Sequence, residues 1–330
     1  MASINNLTGR EIYDLVRSDL QKVEEEFCSQ SVSSVQPISE IAEYLQGSGG
    51  KRLRPALVLL ASKMCGYQGY PVIRLSAVVE LIHTATLVHD DIIDGAETRR
   101  GRPSANHRWG NHMSVLAGDW LYMQAFNVAL AERNFKILDL LIGVTQVMVE
   151  GELLQLTHLH KTDVTEDDYL ELADRKTAML FSTCLRLGAV LAGRSEEEEM
   201  KLGSYGTNLG MAFQLIDDIL DFTSSEEVLG KPVGSDLREG KITLPLIFLL
   251  KRCAPAEAAK ISRVLSEGSY QSVPLSEIMD LFERHGSLNA AREKARHFAD
   301  TAKSCLDIFP ESQYKDALRS LADYIVERES

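Results

Sequence analysis

A short acidic motif occurs twice in the chain, as Asp90-Asp91-Ile-Ile-Asp94 and as Asp217-Asp218-Ile-Leu-Asp221. Each closes a run of apolar residues with helical spacing, LIHTATLVHDDIID and MAFQLIDDILD. On a helix the first and fifth positions of such a motif lie about 40° apart, so their carboxylates leave from one face. Like charges at that spacing repel, and a helix C-terminus also disfavours anions. A compensating cation is therefore expected. Carboxylate oxygens suit Mg²⁺, which takes one or two of them and completes its octahedron with water and phosphate oxygens. One such motif alone reads equally well as a solvated acidic turn. Two copies, each on an apolar helix, favour the metal. Opposed across a bundle, they would line a cavity for several metals and a diphosphate.

Cationic clusters fit the same picture. Gly49-Gly50-Lys51-Arg52-Leu53-Arg54-Pro55 sets three cations beside two glycines, whose backbone freedom lets the chain approach an anion. Arg99-Arg100 follows the first acidic motif, Lys176-Thr177 interrupts an apolar stretch, and Lys231 and Lys241 flank a Gly-containing connection. Any one of these alone reads better as a solvated surface charge. Their weight lies in the pattern taken together.

The elements that must position these groups read as helices. Apolar residues recur at spacings of three and four among Ala, Leu, Glu, Lys and Arg, and no alternating pattern of useful length predicts a strand. The spacing predicts helices over 8–29, 38–47, 53–65, 72–94, 111–132, 135–160, 166–192, 196–223, 241–253, 255–266, 275–285, 288–308 and 311–328, with ends uncertain by about 2–4 residues. Thr165 with Asp168 has the spacing of a capping box. Ser195 before the glutamates at 196–199 reads as another helix start, its acids a solvated helix end without function. The apolar stretches 75–93 and 113–130 belong at the centre of a bundle. The 330 residues, with no linker or low-complexity tract, read as one all-α domain, a large helical bundle around a central apolar cavity.

Composition bounds the rest. A net charge of −13 argues against a nucleic-acid binder, though bound metals and local cations can still hold anionic substrates. Five scattered cysteines without a CxxC pair suit a reducing, cytoplasmic setting and neither a disulfide framework nor a zinc site. MASINNLTGREIYDLV lacks the basic and apolar regions of a signal peptide, and LPLIFLL at 244–250 is too short to span a bilayer. A transient membrane contact stays open for a greasy product.

The motifs GGKRLRP, HTATLVHDDIID with RRGRPSAN, GNHMSVLAGDWL, EGELLQL, RKTAMLF, FQLIDDILD and GKPVGSDLREGKITLPLI run in order over residues 49–248. In this the chain resembles the trans-isoprenyl diphosphate synthases, or polyprenyl synthetases. The resemblance implies a Mg²⁺-dependent prenyltransferase with three Mg²⁺ per site, usually a homodimer. It would join isopentenyl diphosphate to an allylic diphosphate by ionisation, attack at C1 and proton loss. By position, Asp90, Asp94 and Asp217 resemble the principal metal ligands, supported by Asp91, Asp218 and Asp221. Lys176, Lys231, Lys241 and Arg99 would complete the grip on the allylic diphosphate, and Thr177 and Gln214 would face the developing cation. Gly50, Lys51, Arg54, His83 and Arg100 resemble the isopentenyl diphosphate site. His83 lies two helical turns before Asp90 on a similar face, whereas His89 receives no role.

Product length depends on bulk before the first motif. Farnesyl-making relatives carry aromatics there. Here Thr86 and Ala85 occupy those positions, with Ile82 one turn deeper, so growth beyond C15 is sterically open. Met123, Phe126 or Met148 would be the next obstacles, although each reads equally well as core. The expected product is C30–C50, as in the octaprenyl-type branch. The alternatives are a farnesyl or geranylgeranyl synthase, and a silent regulatory subunit, against which two intact motifs speak. A terpene cyclase or a purely structural bundle leaves the second motif and the cations unexplained.

Overall fold

Capping groups mark where the chain turns helical. In the computed structural model, which describes residues 7–47, 49–225 and 232–328, the Thr165 side chain accepts from the Asp168 backbone N–H, and Asp168 returns the bond to Thr165 N–H at 2.9 Å. Ser195 and Glu198 do the same. The fold is all-α. Its helices are α1 (Gly9–Asp14), α2 (Arg17–Gln30), α3 (Gln36–Gln46), α4 (Leu53–Met64), α5 (Pro71–Ile93), α6 (Ala105–Trp109), α7 (Asn111–Ala131), α8 (Phe135–His158) and α9 (Glu166–Ala173). They continue as α10 (Met179–Leu191), α11 (Glu196–Thr223), α12 (Ser235–Arg238), α13 (Leu244–Leu250), α14 (Pro255–Glu267), α15 (Leu275–His285), α16 (Ser287–Cys305) and α17 (Gln313–Glu327).

Four features depart from the periodicity. The helix expected over 8–29 breaks at Val16, whose φ of −126° and full burial beside Ile12 show packing overriding propensity. The one expected over 166–192 is interrupted by a π turn at Asp174–Ala178. A two-residue hairpin, β1 (Thr98–Arg99) with β2 (Arg102–Pro103), is too short for alternation to reveal. Its turn residues, Arg100 and Gly101, both have positive φ, as a tight hairpin requires. Finally, the glutamate run is not wholly solvated. Glu199 is 2% exposed and pairs with Arg186 at 2.8 Å and with Lys136. Such buried charge persists only when paired.

The contacts divide the chain into two compact units. Unit 1 comprises Met1–Thr145, Leu180–Gly206 and Lys303–Leu321. Its central element is α5, packed by α2, α4 and α7 and buried at Leu75, Val78, Leu81, Ile82, Ala85 and Val88. With 23 residues α5 is long and apolar enough to cross a membrane, which the seven residues at 244–250 are not. However, 72% of its most apolar window is buried in the protein, as befits a core helix. Unit 2 comprises Gln146–Met179, Thr207–Ala302 and Ala322–Ser330. Its core includes Leu215, Ile219, Phe222, Leu246, Ile278 and Phe282, with Phe222 and Phe282 edge to face at 4.8 Å.

Gly188 on α10 permits a close helix approach in unit 1. A Cβ there would lie 2.6 Å from Ala61 Cβ and 2.8 Å from Ser62 N. Gly188→Ala should therefore lower unfolding stability by about 1–3 kcal/mol. Adding Ala61→Gly should recover part of the loss in urea titrations.

Candidate functional site

Both acidic motifs lie at the C-terminal ends of their helices, α5 and α11, and each divides into accessible and buried carboxylates. Asp90, Asp94 and Asp217 reach the surface, whereas Asp91, Asp218 and Asp221 are at most 3% exposed. Burial of a carboxylate demands fixed donors, and each buried member has them. Asp91 accepts from Nε and Nη2 of Arg99, both at 2.7 Å. Asp218 accepts from Tyr169 Oη and, at 2.8 Å, from Gln214 Nε2. Asp221 accepts from Ser235 Oγ at 2.9 Å and from the Asp236 backbone N–H at 3.2 Å, which ties the end of α11 to the start of α12. Burial, with Asp236 and Asp217 nearby, pushes the Asp218 carboxyl up to about 8 against the pull of its two hydrogen bonds.

In unit 1 the cations gather beside the first triplet. Arg54 donates to His83 Nε2 at 3.0 Å and lies over the Phe181 ring. Because a guanidinium only donates, His83 Nε2 accepts and its proton rests on Nδ1. Burial first, then the charges of Arg54, Arg100, Arg99 and Arg52, hold the His83 imidazole well below its usual range, and so neutral. Arg54 and Arg100 beside this neutral ring suit an anion, with Arg52 and Arg99 close behind them. Arg100, in the hairpin turn, donates to the Gly49 carbonyl. A Cβ on Gly50 would meet Arg100 Nη1 at 2.9 Å, which explains the glycine.

Two expected cations are already engaged. Arg52 has a left-handed backbone (φ 48°) and turns inward to Glu80 at 2.7 Å and to Glu24, so it anchors the loop that carries Lys51 and Arg54. Arg99 spends its fork on Asp91. His89 packs on α7 opposite Gly118, where a Cβ would lie 2.3 Å from its ring.

In unit 2 Lys176 and Thr177 occupy the π turn, a departure from helix that often marks a functional segment. Lys176 Nζ pairs with Glu152 at 2.6 Å and Gln155 at 3.0 Å. A Cβ on Gly151 would lie 2.9 Å from Lys176 N. The EGELLQL motif thus admits and holds the π turn, a role its sequence did not disclose. Thr177 donates to Gln214 Oε1 at 2.7 Å. Lys241 pairs with Glu239 at 2.9 Å, and Lys231 lies outside the described residues. Sequence reasoning missed Arg328, beyond α17. It pairs with Asp217, donates to the Phe213 carbonyl at 3.0 Å and lies 4.1 Å over the Phe213 ring. Tyr169 was missed too. A tyrosine within a helix carries no signal of its partner.

Of the residues expected to limit product length, Ile82 and Ala85 are fully buried and the Thr86 hydroxyl turns back to the His83 carbonyl. Met148 is buried and Phe126 half-buried. Met123 lies differently in the single chain. At 63% exposed it faces outward from the chain, because α7 is apolar on more than one side and periodicity could not orient it.

Among the described residues no three His, Cys, Asp or Glu side chains converge as a ready-made metal cage. The accessible carboxylates still fit Mg²⁺, which needs only one or two protein oxygens per ion. The arginines on Asp91 and Asp217 show how strongly these positions call for positive charge.

Residues 35–282 match the polyprenyl synthetase family. The octaprenyl diphosphate synthase of Escherichia coli is 38% identical over 318 residues, 96% of this chain and 98% of that protein. A short chain isoprenyl diphosphate synthase of Methanothermobacter thermautotrophicus is 36% identical, over 97% of this chain and 99% of its own length. A crystal structure of polyprenyl synthase from Caulobacter crescentus, complexed with calcium and isoprenyl diphosphate, superposes with a TM-score of 0.94 at 38% identity. It covers 99% of both chains.

The neutral state of His83 gives stability a pH dependence. Its folded-state value lies below the unfolded value of about 6.5, so the unfolded chain takes up a proton that the folded one refuses. The contribution is complete above about pH 6.5 and falls by up to about 1.4 kcal/mol per pH unit below it. Urea midpoints between pH 7 and 5.5 should therefore decline less steeply for His83→Gln than for the wild type.

Proposed function

The chain belongs to the polyprenyl synthetase family, and from that premise we propose that it is a Mg²⁺-dependent trans-polyprenyl diphosphate synthase with a medium-to-long product. The observation that carries this reading is the arginine cluster around neutral His83, directly beside an acidic triplet. A substrate bearing an anionic diphosphate, with divalent metal, answers both halves of that arrangement.

In this reading Lys51, Arg54 and Arg100 bind the diphosphate of isopentenyl diphosphate, with the Gly50 backbone beside it. Neutral His83 supplies a lone pair that orients Arg54. Mg²⁺ at Asp90, Asp94 and Asp217 would stabilise the charge that develops on the allylic leaving group. Lys176 and Lys241 add positive charge to that diphosphate, and Thr177 and Gln214 face the allylic cation with oxygen lone pairs. The isopentenyl double bond attacks C1, and the released diphosphate takes the proton. We read the chain as one catalytic domain, since each unit draws on three separate stretches of sequence. None of the five cysteines is joined in a disulfide, in keeping with a cytoplasmic enzyme.

Small residues at Ala85 and Thr86 support growth beyond C15. The short-chain relative of Methanothermobacter thermautotrophicus favours a second reading, a shorter product. We also propose a homodimer. Leu116, Met123 and Leu130 on α7, and Phe135, Ile142, Val149 and Leu156 on α8, recur every seven residues and are all exposed. Apolar stripes of this kind mark interfaces.

Purified protein given labelled isopentenyl diphosphate, farnesyl diphosphate and Mg²⁺ should yield a ladder ending beyond C20. EDTA or Asp90→Ala should abolish it, and Ala85→Phe should shorten it. A wild-type ladder ending at C15 or C20 selects the shorter-product reading. Ile142→Glu should shift the sedimentation coefficient from dimer to monomer, and an unshifted dimer would place the interface elsewhere.

A further inference from the structure

A chain of hydrogen bonds in unit 2 leads from a residue without an assigned role to the two groups that face the reacting carbon. It begins at Tyr169 on α9, whose ring is buried and whose hydroxyl donates to Asp218 Oδ2. Asp218 is buried as well, and its other oxygen receives Gln214 Nε2 at 2.8 Å. In its ionised form Asp218 can only accept, and those bonds then fix which end of the Gln214 amide points where. Its nitrogen is committed to Asp218, so its oxygen must turn the other way, and there it accepts the Thr177 hydroxyl at 2.7 Å.

The consequence concerns Thr177. With its proton committed to Gln214, Thr177 Oγ can present only lone pairs to a third partner. A group turned that way stabilises a developing cation without reorienting when the charge appears. If Asp218 were free to rotate, Gln214 could flip and offer its N–H groups, and Thr177 could swing its proton outward. Both changes would set positive dipole ends against the cation. Tyr169 removes that freedom.

We infer that Tyr169, acting through Asp218, is a positioning residue for the Thr177–Gln214 pair. Its ring is buried and its hydroxyl is committed to Asp218, so it acts through that carboxylate. The inference rests on the proposed prenyl transfer, because it is the allylic cation that makes lone-pair orientation matter.

A double-mutant cycle tests it. Tyr169→Phe keeps the ring and deletes the one hydroxyl. It should lower kcat by about 10- to 100-fold, the scale of leaving a buried polar group without its hydrogen bond. KM for both diphosphates should stay within about threefold, since an interaction that counts only in the transition state moves kcat. Gln214→Ala should lower kcat by itself, and the double variant should be no slower than Gln214→Ala. Asp218→Ala, in place of Tyr169→Phe, should give the same non-additive result and serves if the first variant does not fold. Losses that multiply, a change confined to KM, or wild-type kcat in Tyr169→Phe would overturn the inference while leaving prenyl transfer intact. Absence of turnover in the wild type would overturn the functional reading, and this inference with it.

Discussion

Six carboxylates at the C-terminal ends of two helices pose the electrostatic problem around which this protein is organised. Like charges repel there, and the helix dipole adds to the cost. The fold divides the load. Asp91, Asp218 and Asp221 are taken inside and tied to an arginine, a tyrosine with a glutamine, and a serine with a backbone N–H. Asp90, Asp94 and Asp217 are left within reach of solvent. The buried members give the accessible ones a rigid base, which is what a metal needs of its ligands if it is to act on a substrate rather than merely bind.

Positive charge is apportioned in the same way. Arg52 and Arg99 are held by Glu24, Glu80 and Asp91, and thereby fix a loop and a hairpin. The side chains next to them, Lys51 and Arg100, are carried by those anchored segments. The different directions of successive cations along GGKRLRP and RRGR follow from geometry. Arg52 and Arg100 adopt left-handed backbone conformations that turn neighbouring side chains to different sides.

The π turn at Asp174–Ala178 gives the second unit a corresponding device. Widening one helical turn changes the direction in which Lys176 and Thr177 leave the helix. Gly151, Glu152 and Gln155 then accept the bulge and hold the lysine. Strain and polar groups concentrate where binding would be, while the apolar sides of α5 and α11 supply the rigidity around them.

The sequence by itself determined the helical class, the paired acidic motifs, and which residue types could meet a metal and a diphosphate. These depend on local periodicity and on the chemistry of neighbours, and both are written in one dimension. The capping box at Thr165 and the helix start at Ser195 were legible for the same reason. What only the tertiary structure decided was direction. It turned Arg52 inward, spent Arg99 on Asp91, buried Glu199, set Met123 outward, and brought Tyr169 and Arg328 from distant stretches of chain onto Asp218 and Asp217. A carboxylate's partner is chosen by distance in space, and a helix apolar on several sides does not declare which of them faces the core.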